Sequence, residues 1–220
     1  MIKEFYSRTL TSLVLIFILI FMLKYSVVLI STLLLIFVFS WLEFNNILEN
    51  IYKKNNQFVL KNFYKLIIFL YLLYFMKITV DEFLQNQPNT SWNLIFLISI
   101  CILTDIGGYI FGKIFKGKKL TKISPNKTYS GMIGSFVLSL SFCILYSYSI
   151  SFVDFKTIIL ITILISSISQ IGDLFISLLK RKANIKNSGN ILPGHGGILD
   201  RIDGILFALP AGIFLINHFY

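Results

Sequence analysis

"SVVLISTLLLIFVFSWLEF", residues 26–44, is nineteen residues of nearly unbroken hydrocarbon. A helix needs ~20 predominantly apolar residues to cross the hydrocarbon core of a bilayer. The stretch meets that length, and it has company. We read seven spans in all, at 9–23, 26–44, 64–80, 92–112, 131–149, 157–179 and 204–219. The expected fold is therefore all-α, a polytopic integral membrane helix bundle of about seven transmembrane helices. Composition agrees: 56% of the 220 residues are hydrophobic and 14% charged, against roughly 25% charged in soluble domains. The first run follows a charged start, as in a signal peptide, but lacks a small-residue cleavage site and is read as a retained helix.

The net charge of +10 finds its explanation in topology. With the N-terminus cytoplasmic and the spans alternating, 17 of the 20 basic residues fall in cytoplasmic segments, Lys24, Lys77 and Lys156 being the exceptions. This is the positive-inside bias. No tract interleaves basic residues with exposed aromatics, so no nucleic-acid partner is expected. Cys101 and Cys143 lie inside apolar runs without metal spacing and read as small buried residues. No repeat or low-complexity linker divides the chain. We separate a hairpin and third helix, 1–91, from a region carrying the candidate chemistry, 92–220, whose two long polar segments, 113–130 and 181–203, share the cytoplasmic face.

Two acids stand inside apolar spans: Asp105, in "CILTDIGGYIFGK", and Asp173, in "SSISQIGDLFISLLKR". A charge at mid-bilayer costs at least ~2.5–3.5 kcal/mol, so each should face a cavity, a partner or an ion. Ser166, Gln170, Asp173, Ser177 and Lys180 recur at spacings of three and four and form one polar stripe on a helix. Interhelical hydrogen bonding accounts for the serines but not for the acid. Gly108, Gly112, Gly131 and Ser135 read first as close helix contacts, and such glycine faces are also compatible with a homodimer.

The stretch "NILPGHGGILDRID", 190–203, gathers His195, Asp200, Arg201 and Asp203 around Gly194, Gly196 and Gly197. Glycines let backbone amides approach an oxyanion, a helix start favours negative charge, and Arg201 and Lys186 add phosphate donors. Carboxylates beside phosphate donors suit magnesium–nucleotide chemistry.

"SLLKRKANIKNSGNILPGHGGILDRID" resembles the signature of the phosphatidate cytidylyltransferase (CDP-diacylglycerol synthase) family, with Ser177, Lys180, Arg181, Lys186, Pro193, His195, Gly196, Gly197, Asp200, Arg201 and Asp203 in matching order and spacing. "SPNKT", 124–128, and "DIGGYIFGK", 105–113, resemble two further family segments. The likeness covers about residues 101–210; the first hundred residues match only as apolar spans. The chain departs at Asn187, where the family has Asp, and at Ser130, where it usually has Glu, and it is short for the family, from which we expect fewer N-terminal helices.

The resemblance implies transfer from CTP to phosphatidic acid, giving CDP-diacylglycerol and pyrophosphate. It implies a Mg²⁺-dependent site, with room for a second cation, at the cytoplasmic face of a multi-pass protein of the bacterial inner membrane, in contact with membrane lipid. Asp173 and Asp200 are the expected metal ligands, followed by Asp203 and Asp105. Lys180, Arg181, Lys186 and Arg201 are expected on phosphates. His195, Gly196 and Gly197 shape the nucleotide loop, with His195 read first as a structural or hydrogen-bonding residue and second as a general base. Ser124, Lys127, Thr128 and Ser177 complete the substrate contacts. Competing readings are a CTP-dependent lipid kinase, which would release CDP, a membrane transporter, and an inactive structural relative.

Overall fold

The computed structural model describes residues 2–53, 57–85, 90–121, 123–149 and 154–219. Among them are seven helices: α1 (Ile2–Lys24), α2 (Ser26–Tyr52), α3 (Phe58–Leu84), α4 (Thr90–Phe115), α5 (Tyr129–Ser149), α6 (Phe155–Lys182) and α7 (Leu199–Phe219). Six, α2 to α7, are long and apolar enough to cross a membrane; the apolar stretch of α1, Thr9–Lys24, is shorter. The chain is a polytopic helical membrane protein. Its many exposed Leu, Ile, Val and Phe side chains would form adhesive patches in water and are at home against lipid tails. Lys54, Lys122 and Pro88 lie outside the described residues, as do the side chains of Lys3 and Arg8.

The helices outrun the apolar spans. α2 continues to Tyr52 and α3 begins at Phe58, so much of the polar stretch 45–62 is helix. Hydrophobicity marks the apolar length, whereas intrahelical hydrogen bonding carries the helix on past its end.

The chain forms two compact units, one of Met1–Gln85 with Leu179–Ile202, the other of Asn86–Leu178 with Asp203–Tyr220. In the first, α1 and α2 are joined by the single extended residue Tyr25. The buried side of α2 carries Leu29, Leu33, Ser40, Glu43, Phe44, Ile47 and Leu48, the three-and-four spacing of one helix face. Phe69 of α3 meets Phe37 and Trp41 edge-on. Near the helix ends Glu49 pairs with Lys65 at 2.9 Å and Lys61 at 3.8 Å.

In the second unit α4 and α5 approach backbone to backbone. A Cβ on Gly131 would lie 2.6 Å from the Gly108 carbonyl oxygen, and one on Gly107 would strike the Gly134 backbone. Ser135 donates to the Thr104 carbonyl at 2.7 Å. This is small-residue packing, the usual way membrane helices come close when no hydrophobic force distinguishes protein from lipid. The glycine face is thus spent within the chain. Gly172 and Gly204 do the same for α6 and α7, against Phe207 and Ser169.

Candidate active site

In the second unit, α4, α5, α6 and the loop before α5 enclose a cavity of about 340 Å³. Its lining includes Asp105, Gly108 and Tyr109 of α4, Ser124, Asn126, Lys127 and Thr128 of the loop, and Gln170 and Asp173 of α6. The loop is a small hairpin. Leu120 donates its N–H to the Lys127 carbonyl at 2.7 Å, and Tyr129 donates to the Lys118 carbonyl at 3.1 Å. Thr128 caps α5: its Oγ1 accepts the Gly131 N–H at 3.1 Å, the bond an N-cap hydroxyl makes to the third helical residue. Its hydroxyl also meets that of Ser130 at 2.9 Å. The Ser130 hydroxyl in turn donates to the Lys116 carbonyl. The residue that departs from the family pattern thus ties down the far end of the same hairpin.

This cap holds the preceding residue in place. Lys127 Nζ forms an ion pair with Asp173 Oδ2, both side chains about one quarter exposed. On the other oxygen, Asp173 accepts the Ser177 hydroxyl at 3.3 Å. Further along the polar stripe, Ser166 accepts from Thr104 at 2.9 Å and from Gln170 at 3.4 Å. The stripe therefore faces protein and cavity. Asp203 of α7 is buried. It lies close enough to Asp173 for their carboxyl groups to share a hydrogen bond, and within reach of the charge on Asp105. Three acids and one lysine are gathered in this unit. No set of three or more His, Cys, Asp or Glu side chains among the described residues is already arranged as a metal cage. Mg²⁺ does not require one, since it commonly takes one or two carboxylates and completes its shell with water and phosphate. Asp173 and Asp203 fit that requirement.

In the first unit the glycine-rich loop is built as a closed turn. Leu192 and Gly196 exchange backbone hydrogen bonds at 2.9 and 3.1 Å, and His195 donates its N–H to the Leu192 carbonyl at 2.9 Å. Gly194 and Gly196 have φ of +76° and +86°, a conformation glycine adopts without steric cost. Pro193 followed by Gly194 at positive φ gives the residue order of a type II turn.

Two carboxylates hold this loop from inside. Asp200 Oδ2 accepts the amides of Ser188 at 2.9 Å and Gly197 at 3.1 Å. Its Oδ1 takes Lys180 Nζ at 2.6 Å, with side-chain exposures of 9% and 11%. Asp200 is thus already satisfied as a brace for the loop. The second carboxylate, Glu43 of α2, accepts the Ser188 hydroxyl at 2.6 Å and the amides of Ile198 and Leu199 at 2.9 Å each. The sequence reading gave Glu43 no role. Its signal was available: an acid closing the apolar run 26–44. The amides at the start of α7, expected to cradle a phosphate, are occupied by the protein's own carboxylates.

The His195 imidazole is held by α1, with Thr11 Oγ1 at 2.6 Å from Nδ1 and Ser12 Oγ at 3.2 Å from Nε2. Neither partner was foreseen. Arg201 donates through Nε and one terminal nitrogen to the His195 carbonyl at 3.2 and 2.9 Å. Arg181 and Lys186 are exposed, with Arg181 reaching the Ile185 carbonyl at 3.4 Å. Asn187 stands beside Gly196, near the Asp200 carboxylate.

Parts of this chain are similar to curated proteins. The phosphatidate cytidylyltransferase of Bacillus subtilis (strain 168) is 39% identical over 142 residues, 62% of this chain and 53% of that protein. That of Staphylococcus saprophyticus is 45% identical over 122 residues, covering 53% and 46%. That of Rickettsia bellii (strain RML369-C) is 40% identical over 146 residues, 63% of each. The chain spans between about half and just under two thirds of the length of the curated relatives it matches. A model of the cytidylyltransferase family matches residues 1–219, and the chain belongs to that family.

Proposed function

We propose that this protein transfers the cytidylyl group of CTP to phosphatidic acid, at the cytoplasmic face of a bacterial cell membrane. The single observation that carries the reading is the meeting of Lys127 and Asp173 at one cavity in a chain matched by the family model. Lys127 comes from the family-like segment "SPNKT", and Asp173 from the polar stripe of α6.

In the proposed step a phosphate oxygen of the lipid attacks the α-phosphorus of CTP. One O–P bond forms as the bond to the β-phosphate breaks, and pyrophosphate leaves with the electron pair. The attacking phosphate is anionic near neutral pH, so repulsion between polyanions is the main obstacle rather than a proton. Fixed positive charge in a water-poor site answers that obstacle. Lys127 supplies it in the cavity, where it is paired with Asp173. Ser124 and Thr128 set the hairpin that aims Lys127. Asp173 and Asp203 would hold Mg²⁺, with Asp105 beside them; the chemistry a divalent ion would supply there is neutralisation of phosphate oxygens for an in-line displacement. Lys180 is the counter-charge of Asp200, while Arg181 and Lys186 offer exposed donors for phosphate. His195, its ring held by two hydroxyls, orients the loop and carries no proton-transfer role.

The test is direct. Purified protein in detergent receives CTP labelled in the cytidine, phosphatidic acid and Mg²⁺. The expected outcome is label in the lipid phase with release of pyrophosphate. Release of CDP with unlabelled lipid would identify a CTP-dependent kinase instead. Folded protein that never moves label into lipid rejects the reading.

A further inference from the structure

Glu43 is a buried carboxylate with no place in the chemistry above. It is 4% exposed, on the inner face of α2. The first amides of any helix lack intrahelical acceptors and carry partial positive charge. They are usually satisfied by a Ser, Thr, Asp or Asn at the N-cap. At α7 the residue before Leu199 is Ile198, which has no side-chain acceptor. Glu43 supplies what Ile198 lacks, taking the amides of Ile198 and Leu199 together with the Ser188 hydroxyl. One carboxylate thereby ties the beginning of the loop to its end. The flanking glycines are shaped around it: a Cβ on Gly189 would stand 2.6 Å from Glu43 Oε1, and one on Gly197 would strike both carboxylate oxygens.

We propose that Glu43 is the positioning residue of the glycine loop, an internal anion that seats the start of α7 and thereby fixes where Asp200, His195 and Arg201 are presented. The catalytic consequence rests on the cytidylyltransferase reading; the conformational one does not. It also follows that an incoming phosphate does not take the amides of Ile198 and Leu199, because Glu43 fills them.

The experiment compares the full-length wild type with Glu43→Gln in detergent by hydrogen exchange and by steady-state kinetics per folded molecule. Glutamine keeps the volume but offers a single acceptor oxygen and turns an NH₂ toward the donors. Exchange at the amides of residues 198 and 199 is expected to speed up at least about tenfold, since local opening sets that rate. Displacement of positioned groups by a fraction of an ångström is costly to turnover, so kcat is expected to fall at least about tenfold. KM for phosphatidic acid should stay within about threefold, the pattern of a lost transition-state interaction. Ser188→Ala removes one of the three bonds and should shift exchange and kcat the same way by less. It carries the test should Glu43→Gln not fold. Wild-type exchange at 198–199 in both variants overturns the proposal. So does a lower yield of folded protein whose turnover per molecule is unchanged, because Glu43 would then be structural only. A wild type that transfers no cytidylyl label refutes the functional reading, while the exchange result still decides the role of Glu43.

Discussion

Asp173 meets three different demands at once: it balances Lys127, accepts from Ser177 and lies beside Asp203. Replacing it with Asn keeps its size and removes the charge that would attract a divalent ion. We expect turnover to fall at least about a hundredfold, the size of one lost electrostatic contact to a transition state, about 3 kcal/mol. Asp203→Asn should cost a similar factor, and the double variant little more than either, because groups acting as a unit are not additive. Initial rates across a Mg²⁺ series check both points; single variants with normal rates and unchanged Mg²⁺ dependence would make these acids structural. Asp200→Asn belongs to another class. It leaves Lys180 without its counter-charge in a buried setting, and breaking a buried pair costs roughly 3–5 kcal/mol. A lower unfolding temperature should therefore accompany its loss of activity. The acids themselves were legible beforehand, because an acid in an apolar run is conspicuous. Glu43, Thr11 and Ser12 were not read, for a physical reason. Their partners lie more than 140 residues away in sequence, and no local pattern encodes a hydrogen bond between distant helices.

At the level of helices, the α4–α5 pair makes a graded prediction. Gly131→Ala places a methyl group 2.6 Å from a backbone oxygen of Gly108, which cannot move aside. Gly108→Ala meets the Ser135 hydroxyl at 3.0 Å, a side chain that can rotate. Overpacking typically costs about 1–3 kcal/mol. Gly131→Ala should sit at the upper end of that range and Gly108→Ala at or below the lower, read as the order of their thermal midpoints in one detergent. The number and placement of the helices followed from hydropathy alone. Their ends did not: α2 and α3 run through residues read as a polar connection, since helical hydrogen bonding is indifferent to where lipid stops.

For the molecule as a whole, charge asymmetry is the feature to test. Both native cysteines are buried, so an added thiol is a clean reporter. Lys118→Cys and Lys186→Cys should react with an impermeant reagent only from the cytoplasmic side, and Asp154→Cys only from the opposite side. Labelling of 118 and 186 from opposite sides would break the proposed topology. The grouping of 179–202 with the N-terminal helices was not legible in the sequence. Apolar surface drives every one of these helices into the bilayer but does not say which neighbour each will choose.

The bond between α2 and the start of α7 spans 155 residues of chain. During synthesis, at roughly 5–20 residues per second, Glu43 emerges many seconds before the amides that will receive it. Until then it is an acid near the end of an apolar helix without its later donors, and the glycine loop has no anchor. Ordering of the loop is therefore a late event in biogenesis, timed by the arrival of α7. A ribosome that stalls before residue 199 leaves a chain holding the cavity residues Lys127 and Asp173 but no seated loop.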